Sequence, residues 1–500
     1  MHIYIEGLND DRLKRNFQLI GNLFFEEATV SFEKQQNNGL AITFSLLQDK
    51  GIYVKGKLVD ENQDTYFAES AYSDAGVPPE KERKNILSRV YLDLLQQATD
   101  ITQKWGILTG VRPTKLVHFD REKNIPKETS QQSLLKKYLI SDEKIQLMEE
   151  IVDRQLRVVP DLYHLHNEVS IYIGIPFCPT KCAYCTFPAY AIGPARKAVS
   201  PFLAGLHYEM AKIGAWLKRN NVNITTVYFG GGTPTSITAE EMDALYEHMY
   251  CSFPNTANIR EITVEAGRPD TITEEKLAVL KKWNINRISI NPQSYQEETL
   301  KAIGRHHSVQ ETIDKFHLAR AMGMNNINMD LIIGLPGEGV NELAHSLNET
   351  EKLMPESVTI HTLSFKRASE MTKNKSKYRV AARDEAEKMM EMAKKWTRSH
   401  GYVPYYLYRQ KNILGNLENI GYALPGQESI YNIMIMEEKQ TIIGIGCGAA
   451  SKFIDPVSKK ITQFSNPKDP KFYNDGFKEY TDKKIAILDE LINPKNTIAK

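Results

Sequence analysis

Six short apolar, β-branched segments alternate with five helical stretches between Ser170 and Leu363, and this alternation constrains the fold more than any other feature. The spacing predicts strands at Ile171–Ile175, Thr226–Phe229, Glu261–Glu265, Arg287–Ile290, Asn328–Ile333 and Val358–Leu363. Helices are predicted between them, near residues 201–219, 239–251, 274–283, 308–322 and 340–353. Parallel strands need crossovers of this kind, so the fold class is α/β with one parallel sheet, closed or partly closed like a barrel. In such folds the chemistry sits in the loops at the carboxyl ends of the strands. Residues that follow each strand therefore carry the most weight.

The flanks read differently. Residues 1–165 form an N-terminal α+β domain of unassigned role, with strand-like runs at Ile3–Ile5, Ala28–Phe32, Ala41–Phe44 and Ile52–Leu58. Helical spacing follows from Pro78 to about Gln103 and from Ser130 to Val158, with an ordered loop over Trp105–Lys115 between them. A polar stretch from Lys366 to Ser376 marks the end of a core at residues 166–365. Residues 366–500 make a C-terminal region, with a long helix ending near His400 and a last helix near 478–491.

The balance of 63 Lys+Arg against 62 Asp+Glu argues against a nucleic-acid partner. No apolar run approaches the roughly 18 residues of a membrane span. The first ten residues are acidic where a secretory leader would be basic. Five cysteines are too few, and odd, for a disulfide framework, so a reduced cytoplasmic protein is expected.

Three of those five cysteines form Cys178-x3-Cys182-x2-Cys185, directly after the first core strand. Three thiolates on one loop are one ligand short of a closed zinc site or of a fully ligated [4Fe–4S] cluster. One reading is zinc, completed by His164 or His166; the favoured one is a cluster with one iron left open. Cys251, at a helix end, reads as a packed thiol. Downstream, Gly230-Gly231-Gly232-Thr233 lets backbone approach a ligand closely and lacks the lysine of a P-loop. Asp330 is an acidic residue inside an apolar strand, expensive to bury unless partnered.

With Tyr184 before its last cysteine, the motif resembles the signature of radical S-adenosylmethionine (SAM) enzymes. The run Ile171-Tyr172-Ile173-Gly174-Ile175-Pro176-Phe177-Cys178 resembles the oxygen-independent coproporphyrinogen III oxidase (dehydrogenase) family, and the N-terminal 165 residues with the two-part arrangement resemble its long Gram-positive-type branch. The resemblance implies a partial (β/α)6 barrel with a C-terminal α+β extension that covers the substrate. It implies a [4Fe–4S] cluster on Cys178, Cys182 and Cys185, and one or two SAM molecules. SAM would chelate the open iron, and one electron would split it to a 5′-deoxyadenosyl radical. Gly231, Gly232 and Thr233 match the family's SAM-ammonium motif, while Tyr172, Tyr184 and Glu265 match contacts to a first SAM. Gln293, Arg305 and Asp330 match contacts to a second, and Ser364 falls near another.

The implied activity is oxidative decarboxylation of two propionates of coproporphyrinogen III, giving protoporphyrinogen IX, by a monomer served by an electron donor such as a flavodoxin. Two departures stand out. Phe187 replaces a fourth cysteine of the best-known oxidase branch, and Gly174 replaces a usual histidine. The family's haem-carrying branch also has an aromatic residue at the first position, so a haem chaperone is the rival reading. Another radical reaction on a tetrapyrrole is a third. The run Tyr402–Arg409 reads as an amphipathic strand packed on the barrel, or as a face for the tetrapyrrole with Arg409 toward a propionate. His306-His307 reads as paired surface histidines, or as haem ligands. Cys447 reads as a buried structural thiol, or as a contact to SAM or substrate.

Overall fold

The computed structural model describes residues 1–33, 39–48, 52–72, 80–165, 167–366, 369–374 and 377–492. The chain divides into two compact units, Met1–Val152 and Asp153–Lys500.

The first unit carries β1 (His2–Glu6), β2 (Thr29–Ser31), β3 (Leu40–Gln48), β4 (Ile52–Val59) and β5 (Thr65–Tyr72) in the order β2-β1-β3-β4-β5. Strict alternation of buried and exposed side chains along β4 gives the sheet one apolar face. Helices Asp11–Gly21 and Glu80–Thr99 supply Phe17, Ile20, Val90 and Leu94 to the core it shares with Ile5, Phe44 and Val54. Gly56 allows the close fit, because a Cβ there would stand 2.6 Å from Val90 Cγ1. The stretch expected to be one helix from Ser130 to Val158 is two, Lys127–Tyr138 and Asp142–Val158. The break falls at Leu139, a left-handed cap at φ 55°. Pro78, the expected start of the preceding helical stretch, lies outside the described residues.

In the second unit the core strands are β6 (Glu168–Ile175), β9 (Asn223–Gly231), β10 (Glu261–Val264), β11 (Arg287–Ser289), β12 (Ile327–Ile333) and β13 (Ser357–Thr362), with a short pair β7 (Phe177–Cys178) and β8 (Tyr190–Ala191) between the first two. The six lie side by side and parallel in the order β13-β12-β11-β10-β9-β6, the partial barrel that the alternating pattern implied. C-terminal residues extend both flanks of this sheet. Strands β14 (Val403–Tyr408) and β15 (Asn419–Ala423) add antiparallel beside β13. On the far side β16 (Thr441–Gly446) runs parallel to β6, followed by β17 (Ala450–Ile454) and β18 (Ile461–Ser465).

Helix Ile192–Arg219 begins well before the expected residue 201 and continues through Pro201. The proline forfeits one backbone hydrogen bond, but Val199 before it and Phe202 after it are both buried, and packing wins. The last helix, Pro470–Ile492, runs alongside this one in the same direction, with Tyr473 packed 5.5 Å from Phe202, ring to ring, and Asp489 bonded to Trp216. Between them lies a fully buried ion pair, Glu209 and Lys484. Glu209 also accepts from the Gly446 N–H at 2.7 Å and the Tyr473 hydroxyl at 2.8 Å, tying β16 to both helices. Among the described residues no helix is long and apolar enough to cross a membrane.

Candidate functional site

Strand β6 delivers the chain through Pro176 and Phe177 to Cys178, so the three cysteines stand on the loop at its carboxyl end. The loop is held from several sides. Thr180 Oγ1 donates to the Gly304 carbonyl at 2.9 Å, and the Ala183 N–H donates to the Ile303 carbonyl at 2.9 Å. Met371 reaches back with its N–H to the Ala183 carbonyl at 3.0 Å. Cys178 Sγ pairs with Thr233 Oγ1 at 3.3 Å. Arg268, buried, donates from Nη1 to Cys182 Sγ at 3.9 Å and to Thr180 Oγ1 at 3.0 Å. Burial pushes the Cys178 thiol up to about 11, against the pull of the Thr233 hydroxyl, and raises the Cys185 thiol as well. Without a metal these sulfurs keep their protons; binding one must displace them.

The glycine-rich end of β9 packs on this loop. The N–H groups of Gly232 and Thr233 donate to the Ile175 and Phe177 carbonyls, each at 2.7 Å, and the Gly231 N–H donates to Glu265. Gly231 sits at φ 103°, where a side chain would be strained. A Cβ on Gly232 would stand 3.0 Å from the Ile175 oxygen. The Thr233 carbonyl accepts from the Ser236 N–H at 2.8 Å and from the Ser236 hydroxyl, so the backbone acceptors of this edge that suit a cation such as an ammonium are the Gly231 and Gly232 carbonyls.

Glu265 follows β10 and accepts a hydrogen bond from the Tyr228 hydroxyl. Burial drives its carboxyl up to about 7; Tyr228 pulls it down, and Asp330 adds to the rise. Tyr228 stacks between neighbours, 4.3 Å from Tyr431 and 6.1 Å from Tyr172. This aromatic wall flanks the carboxylate on one side. On the other, Asp330 accepts from Asn328 Nδ2 at 2.7 Å and faces His361 Nε2 at 3.4 Å, while His361 Nδ1 meets the Tyr408 hydroxyl at 3.2 Å. Burial alone would raise the Asp330 carboxyl, but His361 and the hydrogen bonds hold it below the ordinary range. The cost of an acid in this strand is thus met by partners from β12, β13 and β14. His361 and Tyr408 carried no signal of this in the sequence, because the contact joins strands that are far apart in the chain.

Gln293 adopts φ 65°, a left-handed conformation rare for a non-glycine residue, and its side-chain Oε1 is buried without a partner. Arg305 is buried against Tyr184 and Cys182; its Nη1 donates to the Asn291 carbonyl at 2.6 Å and its Nε is buried without a partner. Burial would lower this guanidinium, yet the neighbouring Tyr184 and Cys182 raise it. Ser364 Oγ donates to the Lys411 carbonyl at 2.9 Å.

Several expectations need correction. His307 is not a surface histidine: it is buried, 3.2 Å from Arg305 Nη1, and burial together with that guanidinium lowers it to about 4. Cys251 is exposed rather than packed. Cys447 is buried and donates from Sγ to the Pro467 carbonyl at 3.2 Å, which favours the structural thiol. Arg409 is buried in the fold and bonded to Asn416, so Tyr402–Arg409 follows the packed-strand reading. His164 precedes β6 while Cys178 follows it, about 25 Å apart along eight residues of strand, which removes it as a fourth zinc ligand. His166 lies outside the described residues.

The donor set therefore fits a cluster better than one ion. Among the described residues no three His, Cys, Asp or Glu side chains converge as a single ion requires. A four-iron cluster takes each thiolate on a different iron, so its ligands stand farther apart. Around the loop, the orphaned Gln293 oxygen, the Arg305 Nε and the carbonyl edge of β9 are the groups that a polar, zwitterionic cofactor needs.

Comparison with known proteins supports this assignment. Residues 172–350 match the model of the radical SAM superfamily. The chain is 66% identical over 496 residues to the oxygen-independent coproporphyrinogen-III oxidase-like protein HemZ of Bacillus subtilis, covering 98% of each chain. It is 31% identical over 282 residues to the heme chaperone HemW of the same organism, covering 56% of this chain and 70% of that one. Among solved structures, coproporphyrinogen III oxidase (HemN) of Escherichia coli, a radical SAM enzyme, superposes with a TM-score of 0.52 at 19% identity, over 65% of this chain and 72% of that one.

Proposed function

We propose, from the premise that the chain belongs to the radical SAM superfamily and within it to the oxygen-independent coproporphyrinogen-III oxidase-like family, that it is a coproporphyrinogen III dehydrogenase. Each of two propionates would lose a hydrogen atom, CO2 and one further electron to become a vinyl group, in haem synthesis without oxygen. Superfamily members bind a [4Fe–4S] cluster and SAM, which together supply a hydrogen-abstracting radical when an external donor, such as a flavodoxin, provides an electron.

The observation that carries the reading is the anchored loop of three thiols at the carboxyl end of β6. Cys178, Cys182 and Cys185 would hold the cluster. The Gly231 and Gly232 carbonyls, with the Glu265 carboxylate, would receive the SAM ammonium, and Thr233 would hold this edge against Cys178. Arg305 offers a buried cation beside Cys182 for a carboxylate, and Tyr184 lies against it. Gln293 Oε1 and Asp330 are acceptors suited to hydroxyl groups, as is Ser364, whose own proton is given to Lys411. A second SAM would draw on these last residues. The Tyr172, Tyr228 and Tyr431 stack excludes water from the carboxylate side.

A second reading, haem binding and transfer, is favoured by Phe187. Its ring is 58% exposed beside the cysteine loop, a place where an aromatic face could meet a planar macrocycle. The test is anaerobic incubation of the reconstituted protein with coproporphyrinogen III, SAM and reductant, with products identified by mass. Loss of two CO2 supports the dehydrogenase. SAM cleavage with no tetrapyrrole product, alongside stable haem binding, would sink it in favour of the chaperone.

A further inference from the structure

We propose that Arg268 sets the reduction potential of the cluster by polarising the Cys182 sulfur, and that Asp270 aims it. The inference rests on the cluster assignment above. Arg268 is 3% exposed, and its guanidinium is fixed by a two-pronged pair. Nε donates to Asp270 Oδ1 at 3.0 Å and Nη2 to Asp270 Oδ2 at 2.8 Å. A planar fork held at two corners has its third corner directed, and here that corner is Nη1, which reaches Thr180 and Cys182 Sγ.

The three sulfurs are therefore not equivalent. Cys178 bonds a neutral hydroxyl, Thr233, with Arg268 acting on it through space only. Cys185 is served by the backbone N–H of Phe187, with Lys366 and Lys181 acting on it through space. Cys182 receives a hydrogen bond from a buried cation and has a second cation, Arg305, against it. Holding the loop does not explain this contact. Arg268 does help hold the loop, reaching the Thr180 hydroxyl and carbonyl. Thr180, Ala183 and Met371 also anchor it through the Gly304, Ile303 and Ala183 carbonyls, and none of these bonds needs the guanidinium to reach a sulfur.

A thiolate that accepts a hydrogen bond from a cation gives less electron density to its iron. The reduced cluster carries one more negative charge and is the form stabilised, so the potential rises. Arg268 thereby eases entry of the electron on which the chemistry depends. Asp270 moderates the charge and fixes its direction, so both are positioning residues for the cluster, not catalytic ones.

The test uses the full chain, reconstituted anaerobically as wild type, Arg268→Lys, Arg268→Gln and Asp270→Asn. Iron and sulfide are counted first, and the midpoint is then read by EPR during a dithionite titration, which adds one electron and breaks no bond in the cluster. The expected result is a loaded cluster whose midpoint falls in the order wild type, Arg268→Lys, Arg268→Gln. The full loss should be about tenfold in the reduction equilibrium, about 59 mV for one electron. Asp270→Asn should load fully. Loss of its charge alone would raise the midpoint, so the expected fall below wild type is the signature of the lost aim, and a rise would overturn the aiming role. Loaded variants with the wild-type midpoint would overturn the proposal, as would loss of cluster in Arg268→Gln with no shift in the other two. A wild-type chain that loads no cluster would instead overturn the assignment on which it rests.

Discussion

Gly174 on β6 and Cys447 after β16 approach so closely that a Cβ on Gly174 would stand 2.7 Å from the Cys447 carbonyl oxygen. The C-terminal strand thus occupies the space where a side chain at residue 174 would project. This gives a physical reason for glycine at a position where the family resemblance implies histidine. Gly174→Ala must move backbone rather than a side chain, at a cost of about 1–3 kcal/mol. Urea unfolding of the variant should show that loss. An unchanged midpoint would show that β16 can yield.

Thr233 joins the glycine-rich strand end to the cluster loop through Cys178. Thr233→Val keeps the shape and removes the hydroxyl. The folded state should lose only about 1 kcal/mol, the net worth of one hydrogen bond. Iron affinity should fall by roughly ten- to a hundredfold, as for other changes behind a metal ligand. Competition with a chelator, run beside thermal unfolding, separates the two effects.

Glu265 links pH to both stability and cofactor binding. Burial, with Asp330 behind it, raises the carboxyl from 4.5 to about 7, against the hydrogen bond from Tyr228. The folded chain therefore holds a proton that the unfolded chain releases between those values, and stability falls as pH rises through that window. Unfolding at about pH 5.5 and about pH 7.5 should show a slope that Glu265→Gln reduces, the rest coming from groups such as Glu338, whose carboxyl burial also raises to about 7. SAM affinity should move the opposite way, rising as the carboxylate forms, and should be flat in the glutamine variant.

Lys484 and Glu209 are both fully buried, and Lys484 also donates to the Gly444 carbonyl at 2.6 Å. Lys484→Met leaves the carboxylate uncompensated under β16, and should cost on the order of 3–5 kcal/mol. Adding Glu209→Gln removes the stranded charge and should recover part of that loss. Equal instability of the single and double variants in urea would mean that packing, not charge, holds the last helix.

The core was legible because its strands are local. All six expected ranges, from Ile171–Ile175 to Val358–Leu363, overlap the strands that form, since apolar β-branched runs between helical stretches admit one reading. The cysteine loop was legible for the same reason: its chemistry lies within eight residues. What escaped was non-local. The pairing of β16 with β6 and the His361 contact to Asp330 join segments whose sequences carry no mark of one another, and the burial of His307, two residues from Arg305, comes from packing that spacing does not report. Pro201 misled in another way, since a proline that suits a helix start here sits inside one. Cys251, Arg409 and Cys447 were decided by burial, which spacing alone does not report.

Cys178, Cys182 and Cys185 are proposed to hold a [4Fe–4S] cluster with one iron free to bind SAM. The most direct measurement is the EPR spectrum of the anaerobically reconstituted, dithionite-reduced protein before and after SAM is added. The expected result is a reduced-cluster signal that changes shape with SAM and is absent from Cys182→Ala. A signal indifferent to SAM, or one that survives in Cys182→Ala, would contradict it.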